Sequence, residues 1–315
     1  MVELSDEIRQ ELSEEFEKIS FSYIKEEKVI LENIKEADVL ITYGDHLKRE
    51  FIEKAQKLKW IMVLTAGIEQ VPRDLVIERN IIVTNVKGIH KTPMVEYAML
   101  MMIQTLRHNK TMIEDEQNHT WDKMKYVESI DEITGKNLAI IGTGEIGQKI
   151  AEVAKAFQMK THGYNSSGRS VPYFDVIWTG DAIFNMLEQV DIVISILPST
   201  PDTKGFLHAK HFQSMKNDAV FINIGRGDTV NEGDLILTLE KGDIAHAVLD
   251  VVEQEPLDSS HPFWSMKNVT ITPHIAGVSI NYHVRAIEIF KQNLRKYASG
   301  TTEGFRNVID CERGY

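Results

Sequence analysis

The sequence predicts an α/β protein of two domains, each built on a parallel sheet, and three observations carry that reading. The chain has 315 residues, about twice the ~150 expected of one domain. Short β-branched runs alternate with segments of helical period, the pattern of strands joined by crossover helices. Near the middle, the turn Gly142-Thr143-Gly144-Glu145-Ile146-Gly147 follows the apolar run LAII and precedes the helix-forming stretch QKIAEVAKAF. Strand, G-x-G-x-x-G and helix in that order are the setting of a dinucleotide-binding turn. The predicted architecture is therefore two Rossmann-like or flavodoxin-like domains with parallel sheets and a cleft between them.

In the first domain, residues 38–43 (DVLITY), 59–65 (KWIMVLT) and 81–86 (IIVTNV) read as strands. Leu47, Phe51, Ile52, Ala55 and Leu58 recur between the first two at helical spacing. Thr92-Pro93 offers a cap and a first-turn proline for a helix through VEYAMLMMIQTLRH. The methionines of that helix suit core packing or a subunit contact. Strands of the second domain are expected at 138–141, 160–164, 191–196, 219–224, 247–251 and 269–272. Val284, Ile287, Phe290, Leu294 and Tyr297 form a last helical stripe that would pack back on the first domain. The domains are thus expected at 1–92 with 284–315, and at 93–283.

Composition narrows the class of function. A hydrophobic share of 43% and a charged share of 26% are those of a globular chain, not a disordered or fibrous one. The net charge of −12 disfavours broad binding to nucleic acid or anionic membrane. The one cysteine, Cys311, cannot close an internal disulfide, which suits a reducing compartment, and it reads as an exposed thiol. The acidic start MVELSDEIRQ has no apolar core of a signal peptide, and no apolar run approaches the ~18 residues of a membrane span. A cytoplasmic protein is expected. His208 and His211 lack a partner at metal-ligand spacing, so no metal site is expected. Glu114 to Glu116 read as a solvated helix face.

The glycine turn has a physical reason at each position. The first glycine permits the turn, the second lets a pyrophosphate approach the backbone, and the third lets helix and strand pack closely. Four later strands end in Leu197-Pro198-Ser199-Thr200, Gly225-Arg226-Gly227, Asp250 and Pro273-His274. Carboxyl ends of parallel strands face the ligand crevice, so these loops are expected to converge beside the dinucleotide. Arg226, Glu255 and His274 would bring a cation, a carboxylate and an imidazole together, a set suited to proton and hydride chemistry on an anionic carbonyl compound.

These blocks give the sequence a family likeness. IIGTGEIGQKIA, ILPSTPDTKG, FINIGRGDTVNE, AVLDVVEQEPL and HPFWSMKNVTITPHIAG resemble, in content and order, the D-isomer-specific 2-hydroxyacid dehydrogenases, which include glyoxylate/hydroxypyruvate reductases and phosphoglycerate dehydrogenases. The resemblance implies that residues 93–283 bind the dinucleotide and that the discontinuous domain binds substrate. It implies that Arg226 binds the substrate carboxylate and polarises the C2 carbonyl, that His274 passes a proton to the forming alkoxide, and that Glu255 favours the imidazolium. Main-chain amides at Ala66, Gly67 and Ile68 are implied for the substrate carboxylate. Pro198 and Thr203 are implied on the adenosine side, and Ile224 and Asp250 at the nicotinamide amide, with Leu197, Gly225, His274 and Ala276 also among the cofactor contacts. Glu96 matches a family position of unassigned role. Trp264, and equally Tyr282 and His283, are open between packing and the substrate pocket. A homodimer with the helix region MVEYAMLMMIQTL at its contact is implied.

The favoured activity is reduction of a small 2-oxoacid such as glyoxylate or hydroxypyruvate. Phosphoglycerate dehydrogenase is the alternative, disfavoured because 315 residues leave no room for the regulatory domain many of those enzymes carry. A dinucleotide-sensing, corepressor-like binding protein is the reading from another class. NADP(H) is favoured over NAD(H). An NAD site places Asp or Glu about 20 residues after the glycine turn to accept from the ribose 2′-hydroxyl, and here that position is Asn165, followed by Ser166-Ser167-Gly168-Arg169. Asparagine does not repel a 2′-phosphate, and two hydroxyls and a guanidinium suit one.

Overall fold

The computed structural model describes residues 3–312 except Lys25, Asp45, His46, Ala66, Gly67, Glu69 and Gln70. The chain divides into two compact units, Met1–Ile89 with Ser279–Tyr315, and His90–Val278. The crossings therefore fall three and five residues before the expected 92/93 and 283/284. At the first, the helix Lys91–Leu106 opens on His90, not on Thr92, and no side chain caps it. Pro93 is its third residue, where a missing N–H costs no intrahelical bond. At the second, the helix Tyr282–Ala298 begins two residues before Val284 and carries its lead-in turn with it, Tyr282 N–H donating to Ser279 O at 3.0 Å.

The first unit holds three parallel strands in the order β1 (Val39–Thr42), β2 (Trp60–Val63) and β3 (Ile82–Asn85). Trp60 is fully buried, stacks on Phe290 at 5.3 Å and donates its indole N–H to Thr84 Oγ1 at 2.8 Å. Ile287, Phe290 and Leu294 share one apolar cluster with Trp60, Met62 and Leu64, so the C-terminal helix belongs to this unit. Val284 departs from the expected stripe and is 58% exposed. Cys311 is half-buried against the Ile309 cluster rather than exposed, and burial pushes its thiol up.

The second unit is a seven-stranded, wholly parallel sheet of β4 (Asn137–Ile141), β5 (Lys160–Tyr164), β6 (Val176–Trp178), β7 (Ile192–Ser195), β8 (Val220–Asn223), β9 (His246–Leu249) and β10 (Val269–Ile271). Their order is β10-β9-β8-β7-β4-β5-β6. The chain works outward from β4 in one direction and from β7 in the other, so the switch point lies between these two strands. Both faces are covered, which is why the central strands β4, β7 and β8 read as largely apolar runs: Ala139, Ile141, Val193 and Phe221 pack on one face, and Leu138, Ile140, Ile192 and Ile222 on the other. Only β6 escaped the sequence, because three edge residues carry too little pattern to mark a strand. Among the described residues no helix is long and apolar enough to cross a membrane.

His246 on β9 sits 2.9 Å from Thr270 Oγ1. Burial pushes its imidazole down to about 4, and Lys110 and His108 add to the effect. The unfolded chain, titrating near ~6.5, binds a proton the folded chain refuses. This contribution to stability is complete above about pH 6.5 and is lost as pH falls toward 4. His246→Gln is expected to flatten part of the decline in urea midpoint between those values, and an unchanged slope would remove His246 from the account.

Candidate active site

The parallel register sets the site. Ile141 pairs with Tyr164 and Ser195, Ser195 with Asn223, Asn223 with Leu249, and Leu249 with Ile271. Six strands therefore end in one row, and Gly142, Asn165, Leu197, Arg226, Asp250 and His274 all lie in the loops that leave it.

After β4, Gly142 turns with φ +112°, a conformation that side chains disfavour. A Cβ on Gly147 would lie 2.2 Å from Gly142 O, so only glycine lets the helix Glu145–Ala156 start against the strand end. Gly144 faces open space. The first-turn N–H groups of a helix have no intrahelical acceptor, and with the open glycine they form a cradle that fits a pyrophosphate. Thr143 is buried and accepts from Asn165 Nδ2 at 3.1 Å, which ties the cradle to the loop after β5. Glu145 pairs with Lys91 at 3.2 Å, and Ile146 packs on the apolar cluster beneath the sheet.

After β5, Asn165 Nδ2 also donates to Arg169 O at 3.1 Å, and Ser167 Oγ donates to Asn165 Oδ1 at 3.1 Å. Gly168, at φ +66°, closes the turn. Ser166, Ser167 and Arg169 are exposed, and the turn holds no carboxylate. After β7, Thr203 Oγ1 donates to Pro198 O at 2.5 Å and accepts from Thr200 N at 2.9 Å, which folds the Leu197-Pro198 loop on itself.

The loop after β8 is held by backbone contact. Asn223 Oδ1 accepts from Gly225 N at 3.1 Å, and Thr229 Oγ1 donates to Arg226 O at 2.6 Å. A Cβ on Gly225 would stand 2.6 Å from Leu197 O, and one on Gly227 would stand 1.9 Å from Val252 O. The two glycines thus press the Arg226 loop between its neighbours while the Arg226 side chain remains exposed. Ile224 and Ala276 are buried in one apolar cluster below it.

Glu255 and His274 meet on the other side of Val252. Glu255 Oε2 lies 2.8 Å from His274 Nδ1, and Oε1 accepts from Val252 N at 3.3 Å. Glu232 Oε1, from the helix Glu232–Lys241, accepts from Glu253 N at 2.6 Å and anchors that loop. His274 adopts φ +54°, a left-handed conformation that is uncommon outside glycine and costs energy unless its surroundings impose it. Asp250 imposes it. Its main-chain oxygen accepts from His274 N at 2.8 Å, and its carboxylate accepts from Ile275 N and Ala276 N, each at 2.9 Å, and from Thr272 Oγ1 at 2.5 Å.

Arg226, Glu255, His274 and the residues expected at the cofactor all belong to the second unit, and of the first three Glu255 and His274 are in direct contact. Of the substrate turn, Ala66 and Gly67 lie outside the described residues, and Ile68 is buried in the first unit. Also in the first unit, Tyr282 donates to Leu64 O at 2.5 Å and His283 pairs with Tyr43. Trp264 is 55% exposed, with its indole N–H on Asp258 O at 2.9 Å, and Glu96 is exposed. Asp115, expected on a solvated face, accepts from Lys125 and Tyr126. Sequence reasoning missed Tyr97 and Thr272, which bond each other below Asp250, and His90, which lies against Gly277. Burial pushes the His90 imidazole down, and the charge of Arg226 adds to it. Only Thr272 had a signal, as the first residue of T-P-H.

The NAD-binding-domain model of the D-isomer specific 2-hydroxyacid dehydrogenases matches residues 99–276, and the chain belongs to that family of oxidoreductases. Human glyoxylate reductase/hydroxypyruvate reductase is 33% identical over 247 residues, covering 76% of this chain and 74% of its own. The structure of a D-isomer specific 2-hydroxyacid dehydrogenase family protein from Aeromonas salmonicida is 33% identical, with a TM-score of 0.79 over 91% of this chain and 90% of that one. The structure of a NADPH-dependent glyoxylate/hydroxypyruvate reductase from Sinorhizobium meliloti, in complex with NADP and sulfate, is 26% identical, with a TM-score of 0.71 over 89% of each chain.

The loop packing makes Gly227→Ala an informative change. Its methyl group cannot coexist with Val252 O, so the Arg226 loop must shift. The expected result is a kcat at least tenfold lower and a loss of about 1–3 kcal/mol in unfolding free energy, read by turnover and urea titration. A variant with wild-type turnover would show that the loop position is unimportant.

Proposed function

We propose that the protein reduces a small 2-oxoacid of the glyoxylate or hydroxypyruvate kind to its D-2-hydroxyacid, with NADPH as the preferred cofactor. The observation that carries this reading is the His274–Glu255 pair at 2.8 Å on the strand-end row that also presents Arg226. The nicotinamide, when bound, supplies the hydride. The exposed Arg226 guanidinium binds the substrate carboxylate and draws charge toward the carbonyl oxygen. His274, with Nδ1 engaged by Glu255, has Nε2 free to give its proton to the oxygen that becomes the hydroxyl, and to take it back in oxidation. Glu255, 2.8 Å from Nδ1, fixes the orientation and tautomer of the ring. Support for the reaction class comes from the family and from the relative named as a glyoxylate/hydroxypyruvate reductase.

The turn after β5 supports NADPH. Asn165 lacks the charge that would repel a 2′-phosphate, and Ser166, Ser167 and Arg169 are exposed beside it. The Sinorhizobium neighbour binds NADP. A homodimer that covers the exposed Leu100 and Ile103 of the helix Lys91–Leu106 fits the same family. A reducing, cytoplasmic compartment suits the lone cysteine.

A panel of 2-oxoacids assayed with both reduced cofactors tests the reading, and tight NADPH binding without turnover of any acid would turn it to the sensor alternative. His274→Ala is expected to lower kcat by 10²–10⁴ while NADPH affinity stays within about twofold, since the imidazole contacts no phosphate. Arg169→Ala is expected to raise KM for NADPH about tenfold, the effect of one ~1.4 kcal/mol contact, and to leave NADH nearly unchanged. Higher kcat/KM with NADH in the wild-type enzyme would overturn the cofactor choice.

A further inference from the structure

We propose that Tyr97 is a positioning residue for His274, acting through a chain of hydroxyl groups that runs by way of the half-buried Thr272 and ends on Asp250. The inference rests on the proposed reduction only for its kinetic readout; the geometry is independent of it. Tyr97 lies on the helix Lys91–Leu106, is 9% exposed, and belongs to the apolar cluster of Leu138, Ile140 and Val248. Its hydroxyl is 2.6 Å from Thr272 Oγ1, and Thr272 Oγ1 is 2.5 Å from Asp250 Oδ1.

The direction of these bonds follows from proton count. An ionised carboxylate only accepts, so the single Thr272 proton goes to Asp250, and Tyr97 O–H must donate to Thr272. Burial pushes the Tyr97 phenol above its ordinary range, and the charge of Asp250 adds to it. The phenol therefore keeps the proton that the chain requires.

Asp250 is 2% exposed and receives the N–H groups of His274, Ile275 and Ala276. His274 stays at φ +54° because those three bonds converge on one residue. Thr272 donates to the same Oδ1 that accepts from Ile275, so the hydroxyl chain sets where that oxygen sits. Without Tyr97 O–H, the half-buried Thr272 Oγ1 loses the donor that fixes its hydroxyl rotor among the described residues, and its hydroxyl is then free to turn away from Asp250. A shift of the 274–276 turn by a fraction of an ångström moves the imidazole off the line to Glu255, and misplaced proton donors lose rate steeply.

The test compares Tyr97→Phe, which removes one oxygen, with Thr272→Val, which removes the link, and Thr272→Ser, which keeps it. Glyoxylate and hydroxypyruvate reduction with NADPH is measured beside amide hydrogen exchange of the peptide spanning 272–278. Expected are a kcat 5- to 30-fold lower in Tyr97→Phe and in Thr272→Val, KM for NADPH within twofold, and exchange of the 274–276 amides at least fivefold faster. Thr272→Ser should stay nearer wild type than Thr272→Val, and the double variant Tyr97→Phe/Thr272→Val should be no worse than Thr272→Val, because the two act in series. Unchanged exchange in Tyr97→Phe, or losses that multiply in the double variant, would overturn the proposal. A wild-type protein that turns over no 2-oxoacid would defeat the proposed function, and the exchange rates would still decide the role of Tyr97.

Discussion

A single buried carboxylate, Asp250, holds the reacting edge of this protein in shape. Burial without partners would make that carboxylate expensive. Three N–H and O–H donors meet it, from Thr272, Ile275 and Ala276, and two of them belong to the turn that presents His274. The left-handed backbone of His274 is an unfavourable local choice made stable by this convergence. The imidazole is thus aimed by the chain on either side of it, and its one side-chain partner, Glu255, completes the aim.

Around that centre the sheet register works as a positioning device. Arg226, Glu255 and His274 are separated by 29 and 19 residues in sequence, yet the paired ends Asn223, Leu249 and Ile271 place their loops side by side. Close packing then removes the slack. Gly225 and Gly227 lie where any Cβ would collide with Leu197 O and Val252 O, so the Arg226 loop is clamped by main chain on both sides. The Arg226 guanidinium donates through one Nη1–H to Gly225 O at 2.8 Å and stays exposed, with its remaining N–H groups able to meet an anion. The glycine turn after β4 repeats the pattern, with Gly147 bringing the helix onto Gly142 O and Gly144 left open. These arrangements lie within residues 90–278, so the second unit by itself contains the cradle, the guanidinium and the imidazole–carboxylate pair.

Much of this was legible in the sequence because it depends on periodicity and on residues whose chemistry is distinctive. Nine of the ten strands were legible, most of them from apolar runs of the kind a parallel sheet covered on both faces needs; β5, with the sequence KTHGY, is not such a run. Gly142, Gly147 and the Gly225-Arg226-Gly227 trio stood out because only glycine satisfies the contacts they make. What stayed hidden was set by three-dimensional neighbours. Tyr97 looks like any core aromatic at helical spacing, and nothing local says that its hydroxyl meets Thr272, 175 residues away. Asp250 was expected to face the cofactor, and its grip on the 274–276 amides depends on a turn the chain has yet to make. Thr92 was a plausible cap by composition, but the cap is His90, two residues earlier, where the chain enters the second unit beside Gly277.

The central claim is that this strand-end constellation delivers a hydride and a proton to opposite ends of one carbonyl. Incubation of the protein with hydroxypyruvate and NADPH carrying deuterium at both C4 positions of the nicotinamide tests it most directly, with the product glycerate examined by mass spectrometry and chiral separation. The account predicts D-glycerate with one deuterium at C2 in water. Glycerate without deuterium, deuterated L-glycerate, or no glycerate at all would contradict it.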